Sequence, residues 1–184
     1  MSGHSHWAGI KHKKGITDQK KGRVFAKLLS AISAAAKSEP NPNFNPRLRT
    51  AVLKAKEMNV PNDKIEQAIK RVSEGGQKVE ELMFEAYGPG GTAILIEAIS
   101  DNKNLCVSEI KKIIGDFGGT WAETGSVRWA FEELPYEKGA GWKAKFPIDI
   151  QHVEEKKLEA FIEALDEHDD VQHIYTNAGV STNA

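Results

Sequence analysis

The chain has 184 residues, of which 40% are hydrophobic and 28% are charged, so it is long enough for one large or two small globular domains. Its single cysteine, Cys106, excludes an internal disulfide framework and a multi-cysteine zinc site, and is typical of proteins of a reducing cytosol. No apolar run approaches the roughly 20 residues that span a bilayer, and the first residues lack the apolar core of a signal peptide. We therefore expect a cytoplasmic protein without a membrane partner.

The overall net charge of −1 conceals an uneven distribution of charge along the chain. Residues 1–78 contain 16 Lys and Arg against 6 Asp and Glu, a net charge of +10, whereas residues 79–184 contain 9 against 20, a net charge of −11. Because acidic and basic residues usually alternate over an ordinary surface, this pattern favours two domains, of which the basic one binds a polyanion. The alternative is that each set of charges only solvates its own surface.

The first segment of the chain is basic and has no sustained apolar period. Such a segment buries too little surface to offset the entropy lost on ordering, so we expect a flexible basic arm over residues 1–21. Its cations can displace counterions from a phosphate backbone, and an indole or imidazole can stack on an exposed base. The candidate nucleic-acid contacts in and beside this arm are Trp7, Lys11, His12, Lys13, Lys14, Lys20, Lys21 and Arg23. Alternatively, Trp7 packs back onto the helices that follow.

A helical domain is predicted to follow the arm, over residues 22–77. Apolar residues at three- and four-residue spacing predict helices at about 23–37, 46–58 and 61–73. We expect Asn45 to be the N-cap of the second helix, with Pro46 at its first helical position. Pro61 opens the third helix, and the unit ends at two consecutive glycines.

The predicted helices extend the basic surface of the arm. Residues seven apart share one face of a helix, which applies to Arg47 with Lys54 and to Lys64 with Arg71. The candidate phosphate contacts on these helices are Arg47, Arg49, Lys54, Lys64, Lys70 and Arg71, with Lys56 beside them. Lysine-rich usage favours the phosphate backbone over base edges, so we expect weak sequence specificity. The alternative is that these cations only solvate the helix faces.

The second half of the chain changes to a pattern of short strands and helices. The predicted strands lie at 82–87, 92–99, 120–122, 126–132, 144–151 and 171–176, with helices at 105–117 and 153–167 and a loop at 135–142. The sequence Gly88-Pro89-Gly90-Gly91 predicts a turn between the first two strands. We therefore expect an acidic α+β domain of the ferredoxin-like kind over 78–184, which gives the whole chain a mixed α+β class.

The residue types that form metal sites and catalytic sites in other proteins do not form a recognisable motif here. His4 and His6 have no carboxylate or thiolate nearby with which to preorganise a metal site, and Cys106 is better explained as a buried small residue than as a nucleophile. Four carboxylates could meet near one end of the sheet, although spacing alone does not show a catalytic pair: Glu97, Asp101, Glu109 and Glu123. We expect neither an enzyme nor a cofactor.

Several segments together resemble a known family. They are residues 3–13 (GHSHWAGIKHK), 45–49 (NPRLR), 61–71 (PNDKIEQAIKR), 87–91 (YGPGG), 124–127 (TGSV) and 169–175 (DDVQHIY). In this order they resemble the motifs of the YebC family of bacterial proteins, whose mitochondrial relatives are translational activators. The segments span nearly the whole chain, so a chance match is improbable.

The chain also departs from the family pattern. His6 replaces a lysine and Gly9 replaces an asparagine of the N-terminal motif, which removes one cation from the arm. Members of the family usually carry a third, ferredoxin-like domain inserted in the second domain. In this chain the short 135–142 segment stands at that place, so we expect the inserted domain to be absent.

The resemblance implies a non-enzymatic regulator of gene expression. Bacterial members are described as probable transcriptional regulators that bind DNA, whereas the mitochondrial relatives suggest translation, with ribosomal RNA or the ribosome as partner. In either case we expect the basic half to dock on the polyanion. The acidic half, which the same polyanion repels, would remain free for a protein partner.

Overall fold

The computed structural model describes residues 18–76, 78–135 and 141–179. Its helices are α1 (Asp18–Ala36), α2 (Pro46–Glu57), α3 (Asn62–Ser73), α4 (Lys103–Asp116) and α5 (His152–Asp166). Its strands are β1 (Glu80–Tyr87), β2 (Ala93–Ser100), β3 (Thr120–Ala122), β4 (Phe131–Leu134), β5 (Gly141–Ala144), β6 (Ile148–Asp149), β7 (Val171–Thr176) and β8 (Ala178–Gly179). The predicted α+β class is confirmed.

The helical domain is built on α1, which packs against both α2 and α3. Ile32 of α1 and Leu48 of α2 are fully buried, and Ile65 and Ala68 of α3 complete the core. The apolar spacing of the three segments produces this core, because residues three and four apart lie on one face of a helix.

Asn45 is the N-cap of α2, as the sequence predicts, and it also joins α2 to α1. Its side-chain oxygen accepts a hydrogen bond from the Leu48 N–H at 3.0 Å. Its amide nitrogen donates to the carbonyls of Ala35 at 2.8 Å and of Glu39 at 2.7 Å. One buried side chain therefore caps one helix and satisfies the end of another.

The second half is organised around a four-stranded antiparallel sheet with the order β3-β1-β2-β7. The strands β2 and β3 with the intervening α4 form a split β-α-β unit around β1, which is the unit expected of a ferredoxin-like domain. The helices α4 and α5 cover one face of the sheet, where Ile96, Ile110 and Phe161 are fully buried.

The opposite face of the sheet is covered by two different elements. At one end the β4–β5 hairpin packs Phe131 against Leu95 of β2. At the other end α1 packs Ala34 against Val79 and Ile99, which joins the helical domain to the sheet. The two domains thus share a small apolar seam.

Two boundaries differ from the expected ones: the start of the helical domain and the end of the 135–142 loop. The helix α1 begins at Asp18, so residues 18–21 are helical and only residues 1–17 of the expected arm lie outside the described part of the chain. A single glycine, Gly22, costs a helix only about 1 kcal/mol, which the packing of the rest of α1 offsets. Similarly, β5 begins at Gly141, within the expected 135–142 loop. Residues 136–140 are not described.

The strand expected at 126–132 begins only at Phe131, the first residue of β4, because a buried carboxylate holds the preceding segment in a turn. Glu85 is only 2% exposed, and it accepts hydrogen bonds from the N–H groups of Gly125 at 2.6 Å, Val127 at 2.7 Å and Arg128 at 3.0 Å. These donors are consequently unavailable to a strand ladder, and a short 3₁₀ turn precedes β4. The strand expected at 144–151 is likewise not continuous: only Ala144, the last residue of β5, and β6 (Ile148–Asp149) are in strands.

The predicted glycine turn joins β1 to β2, and the structure shows why glycine is needed there. Gly90 has a φ of 69°, which is in the left-handed region that disfavours side chains. A Cβ at this position would lie 2.9 Å from Cγ2 of Ile150, just before α5. Glycine at this position therefore allows the start of α5 to pack against the turn between β1 and β2.

We expect Glu85→Ala to lower the free energy of unfolding by about 3 kcal/mol, since it leaves three backbone donors without their charged acceptor. Urea denaturation followed by circular dichroism measures this change. The control is Glu159→Ala, which removes an exposed carboxylate of α5. Equal stability of the two variants would contradict the anchoring role of Glu85.

Candidate nucleic-acid interface

The predicted contacts of the arm divide at residue 18. Trp7, Lys11, His12, Lys13 and Lys14 lie outside the described residues. Lys20 and Lys21 lie in the first turns of α1, and both are exposed. The Lys21 ammonium lies 5.7 Å from the centroid of the Phe25 ring, which helps to hold it on the helix surface.

Arg23 lies on α1 but faces the acidic domain. Its guanidinium is 3.6 Å from the carboxylate of Glu167 and 3.5 Å from that of Asp169, which follow α5. One turn later, Lys27 is 3.3 Å from the Asp166 carboxylate and also donates to the Asp166 carbonyl. The first half of α1 is thus tied to the end of α5 by opposite charges.

Arg47 is also paired within the protein. Its guanidinium makes a bidentate contact with Glu81 of β1, at 2.8 Å and 2.6 Å. Such a fork-to-carboxylate geometry is the strongest form of ion pair that arginine makes. Arg23 and Arg47 therefore belong to the seam between the domains, and a phosphate would have to compete with three carboxylates to reach them.

Two further predicted cations make local contacts. The Arg49 side chain donates to the carbonyls of Pro42 at 3.2 Å and Asn43 at 2.8 Å, which braces the loop before α2. Lys70 lies 3.6 Å from Glu74 in an exposed i,i+4 pair on α3, a geometry worth little in water. Both residues remain exposed.

A third group of cations is exposed without an ionic partner among the described residues. We call these four residues the free cation set: Lys54 and Lys56 on α2, and Lys64 and Arg71 on α3. Lys64 and Arg71 are two turns apart, next to the face of α3 that packs on α1. These residues need not break an ion pair before they bind a phosphate.

The acidic domain presents the opposite charge. The exposed surface of α5 and the turn after it carry the carboxylates Glu159, Glu163, Glu167 and Asp169. Of these, Glu167 and Asp169 are the partners of Arg23 at the seam. Local sequence patterns do not reveal such pairs, because the partners come from distant parts of the chain.

The structure does not bring the four candidate carboxylates together. Glu97 lies on the hairpin face of the sheet, where it accepts hydrogen bonds from Trp142 at 2.9 Å and Tyr175 at 3.2 Å. Glu109 lies on α4, on the opposite face, 3.0 Å from His168. Within the described ranges, no group of three or more His, Cys, Asp or Glu residues has the arrangement of a metal site.

Cys106 is fully buried between α4 and the sheet. Burial, together with the nearby Asp170 carboxylate, raises the pKa of its thiol to about 12. The thiol is therefore protonated at neutral pH and is poorly suited to act as a nucleophile.

Comparison with known proteins identifies relatives over nearly the whole chain. Residues 5–75 match the family model described as the TACO1/YebC protein N-terminal domain, and residues 79–138 and 135–178 match the TACO1/YebC second and third domain. The two segments of the second match meet at 135–138, which is the place where we expect the inserted domain to be missing. Among the described residues, no helix has the length and apolar character needed to cross a membrane.

Individual relatives are named probable transcriptional regulatory proteins. One from Desulfosudis oleivorans is 43% identical over 182 residues, which cover 96% of this chain and 71% of that protein. One from Solibacter usitatus is 50% identical over 146 residues, 75% of this chain and 58% of that protein. The matched part of the chain thus spans only about 60 to 70% of the length of these relatives.

The fold is similar to that of a solved protein. The crystal structure of a conserved hypothetical protein, Aq1575, from Aquifex aeolicus superposes with a TM-score of 0.87 at 30% sequence identity. The superposition covers 97% of this chain and 98% of that chain.

We expect Cys106 to resist iodoacetamide in the folded protein at pH 8.5, because a pKa of about 12 leaves very little thiolate. The same reagent should label the thiol fully after unfolding in urea. Mass spectrometry of the alkylated protein measures both. Equally rapid labelling of the folded and unfolded chains would contradict the burial of this thiol.

Proposed function

Because the chain belongs to the TACO1/YebC family, we propose that it is a nucleic-acid-binding regulator of gene expression, and specifically a DNA-binding transcriptional regulator. The observation that carries the proposal is the free cation set, which lies in the half of the chain with a net charge of +10. Exposed cations without ionic partners release condensed counterions when they contact phosphates, and this release drives binding.

The charge of the other domain supports one orientation on the polyanion. Residues 79–184 have a net charge of −11, and exposed carboxylates line α5. A polyanion repels this surface, so the complex of lowest energy has α2 and α3 against the nucleic acid and α5 directed away. The acidic surface then remains available to a protein partner.

The connection between α2 and α3 favours DNA as the target. Four residues, 58–61, join the two helices, and Asn59 among them has a left-handed φ of 61° while Val60 is buried. Helix-turn-helix motifs have a turn of this length, and their second helix enters the major groove. The exposed side chains of α3 include Gln67 and Arg71, which are residue types that read base edges.

A second candidate function is translational activation through ribosomal RNA or the ribosome. Three of the four residues of the free cation set are lysines, which favour phosphate contacts over base readout. Phosphates are common to DNA and RNA, so the surface fits a structured RNA as well. A transcriptional regulator should shift promoter fragments with at least a modest sequence preference, whereas a translation factor should co-sediment with ribosomes.

We expect the double reversal Lys54→Glu and Lys64→Glu to weaken binding to the physiological target and to lower the slope of log K against log salt by about 2 for a duplex. Fluorescence anisotropy over a salt series, with a promoter duplex and with a fragment of ribosomal RNA, measures both quantities. The matched control is Lys103→Glu with Lys156→Glu, which changes the net charge equally on the acidic domain.

Equal losses for the two double variants would contradict the proposal, because they would show a general charge effect instead of a binding surface. The affinity of a chain that lacks residues 1–17 measures the contribution of the arm to binding, because this deletion leaves the residues of α1 in place. The larger affinity, for duplex or for ribosomal RNA, assigns the target.

A further inference from the structure

Two aromatic side chains are exposed side by side next to the β4–β5 hairpin. Trp129 is 62% exposed and Phe146 is 55% exposed, and their ring centroids are 5.7 Å apart. The indole N–H of Trp129 already donates to the Ser126 carbonyl at 2.8 Å. The pair therefore offers ring surface to solvent without an unsatisfied donor, which is unusual for residues that normally cover a core.

Three cations are close to this pair along the chain, although the domain as a whole is acidic. The Arg128 guanidinium lies over the Trp142 ring, 4.7 Å from its centroid. Lys143 and Lys145 are exposed, and none of the three cations has an ionic partner among the residues that the structure describes. Residues 128–146 contain 4 Lys and Arg against 3 Asp and Glu, whereas residues 79–184 have a net charge of −11.

The surface is held in place by contacts to the sheet. The Glu97 carboxylate accepts hydrogen bonds from the Trp142 indole at 2.9 Å and from the Tyr175 hydroxyl at 3.2 Å. The Lys145 N–H donates to the Ala130 carbonyl at 2.8 Å, beside the base of the hairpin. Rings and cations on such a support lose little conformational entropy when a ligand binds.

The aromatic pair lies at the end of the hairpin that is distant from the connection between its strands. The strands pair from Phe131 with Ala144 at the base to Leu134 with Gly141 next to the connection. At the rise of a strand, three residue steps place the pair roughly 10 Å from that end. The exposed rings are therefore distant from Leu134 and Gly141, the last paired residues of the two strands.

We propose that this surface, formed by Trp129, Phe146, Arg128, Lys143 and Lys145, is a stacking platform for the unpaired bases of single-stranded RNA. Aromatic faces stack on bases whatever the sequence, and the surrounding cations contact the phosphates. In duplex DNA the bases are already stacked on one another and cannot reach the rings. The aromatic faces suit unpaired bases, and the three exposed cations supply charge that complements the phosphates of an RNA. This inference rests on the proposed nucleic-acid binding and adds a second contact site to it.

The test is the affinity of the full-length chain for a 12-nucleotide poly(U) RNA and for a 12-base-pair DNA duplex, by fluorescence anisotropy at 50 mM salt. We expect Trp129→Ala with Phe146→Ala to weaken binding of the RNA about tenfold or more and to leave the duplex unchanged. The control is Leu105→Ala with Val153→Ala, which removes equally exposed apolar side chains from α4 and α5. A second test compares the RNA affinity of Lys145→Glu with that of Lys156→Glu, and both variants leave the rings in place.

Each other outcome overturns the proposal in a distinguishable way. If the aromatic variant binds the RNA as the wild type does while Lys54→Glu with Lys64→Glu weakens it, the platform is wrong and the helical interface stands. If the wild type binds neither probe, the proposed function fails as well. If sedimentation shows a wild-type dimer that the aromatic variant dissociates, the surface joins two copies of the chain instead.

Discussion

Ion pairing across the seam between the two domains decides which cations of the helical domain remain available to a nucleic acid. Carboxylates of the acidic domain hold Arg23 and Arg47, while the apolar contact of Ala34 with Val79 and Ile99 fixes the relative position of the domains. A charge map drawn from sequence treats all cations of residues 1–78 as equivalent. The folded chain divides them into those that hold the protein together and those that face solvent.

This division gives the acidic domain a second role besides repulsion. In the proposed complex its carboxylates compete with phosphate for the seam cations, so we expect a polyanion to find its most favourable contacts on α2 and α3. Repulsion by α5 then acts in the same direction, because it disfavours any pose that brings α5 close to the backbone of the nucleic acid. Charge alone accounts for this orientation, but it does not explain why Trp129 and Phe146 are exposed.

Sequence patterns predicted the elements whose signals are local. Asn45, Pro46 and Pro61 define the starts of α2 and α3, and the strands at 120–122 and 171–176 have the predicted bounds. Contacts between distant residues were not accessible in this way. The turn at 124–127 depends on Glu85, forty residues earlier. The alternating pattern of 126–132 predicts a strand, and only the position of the Glu85 carboxylate explains why the segment starts with a turn.

The same reasoning applies to the candidate site. Helical spacing identified the cations of α2 and α3, because seven-residue separation places two side chains on one face. It could not identify Glu81 as the partner of Arg47, or Glu167 and Asp169 as the partners of Arg23, since these carboxylates approach only when the domains dock. The exposure of Trp129 is equally a tertiary property, and in sequence this residue resembles an inward-facing position of a strand.

The most direct test of the account compares two double variants that remove the same number of charges from the helical domain. Binding to a nucleic acid is measured over a salt series for Lys54→Ala with Lys64→Ala, and for Arg23→Ala with Arg47→Ala. The account predicts that the lysine variant lowers the salt slope by about 2 for a duplex, and that the arginine variant changes the slope little while it destabilises the fold. A larger loss of slope in the arginine variant would contradict the division of the cations.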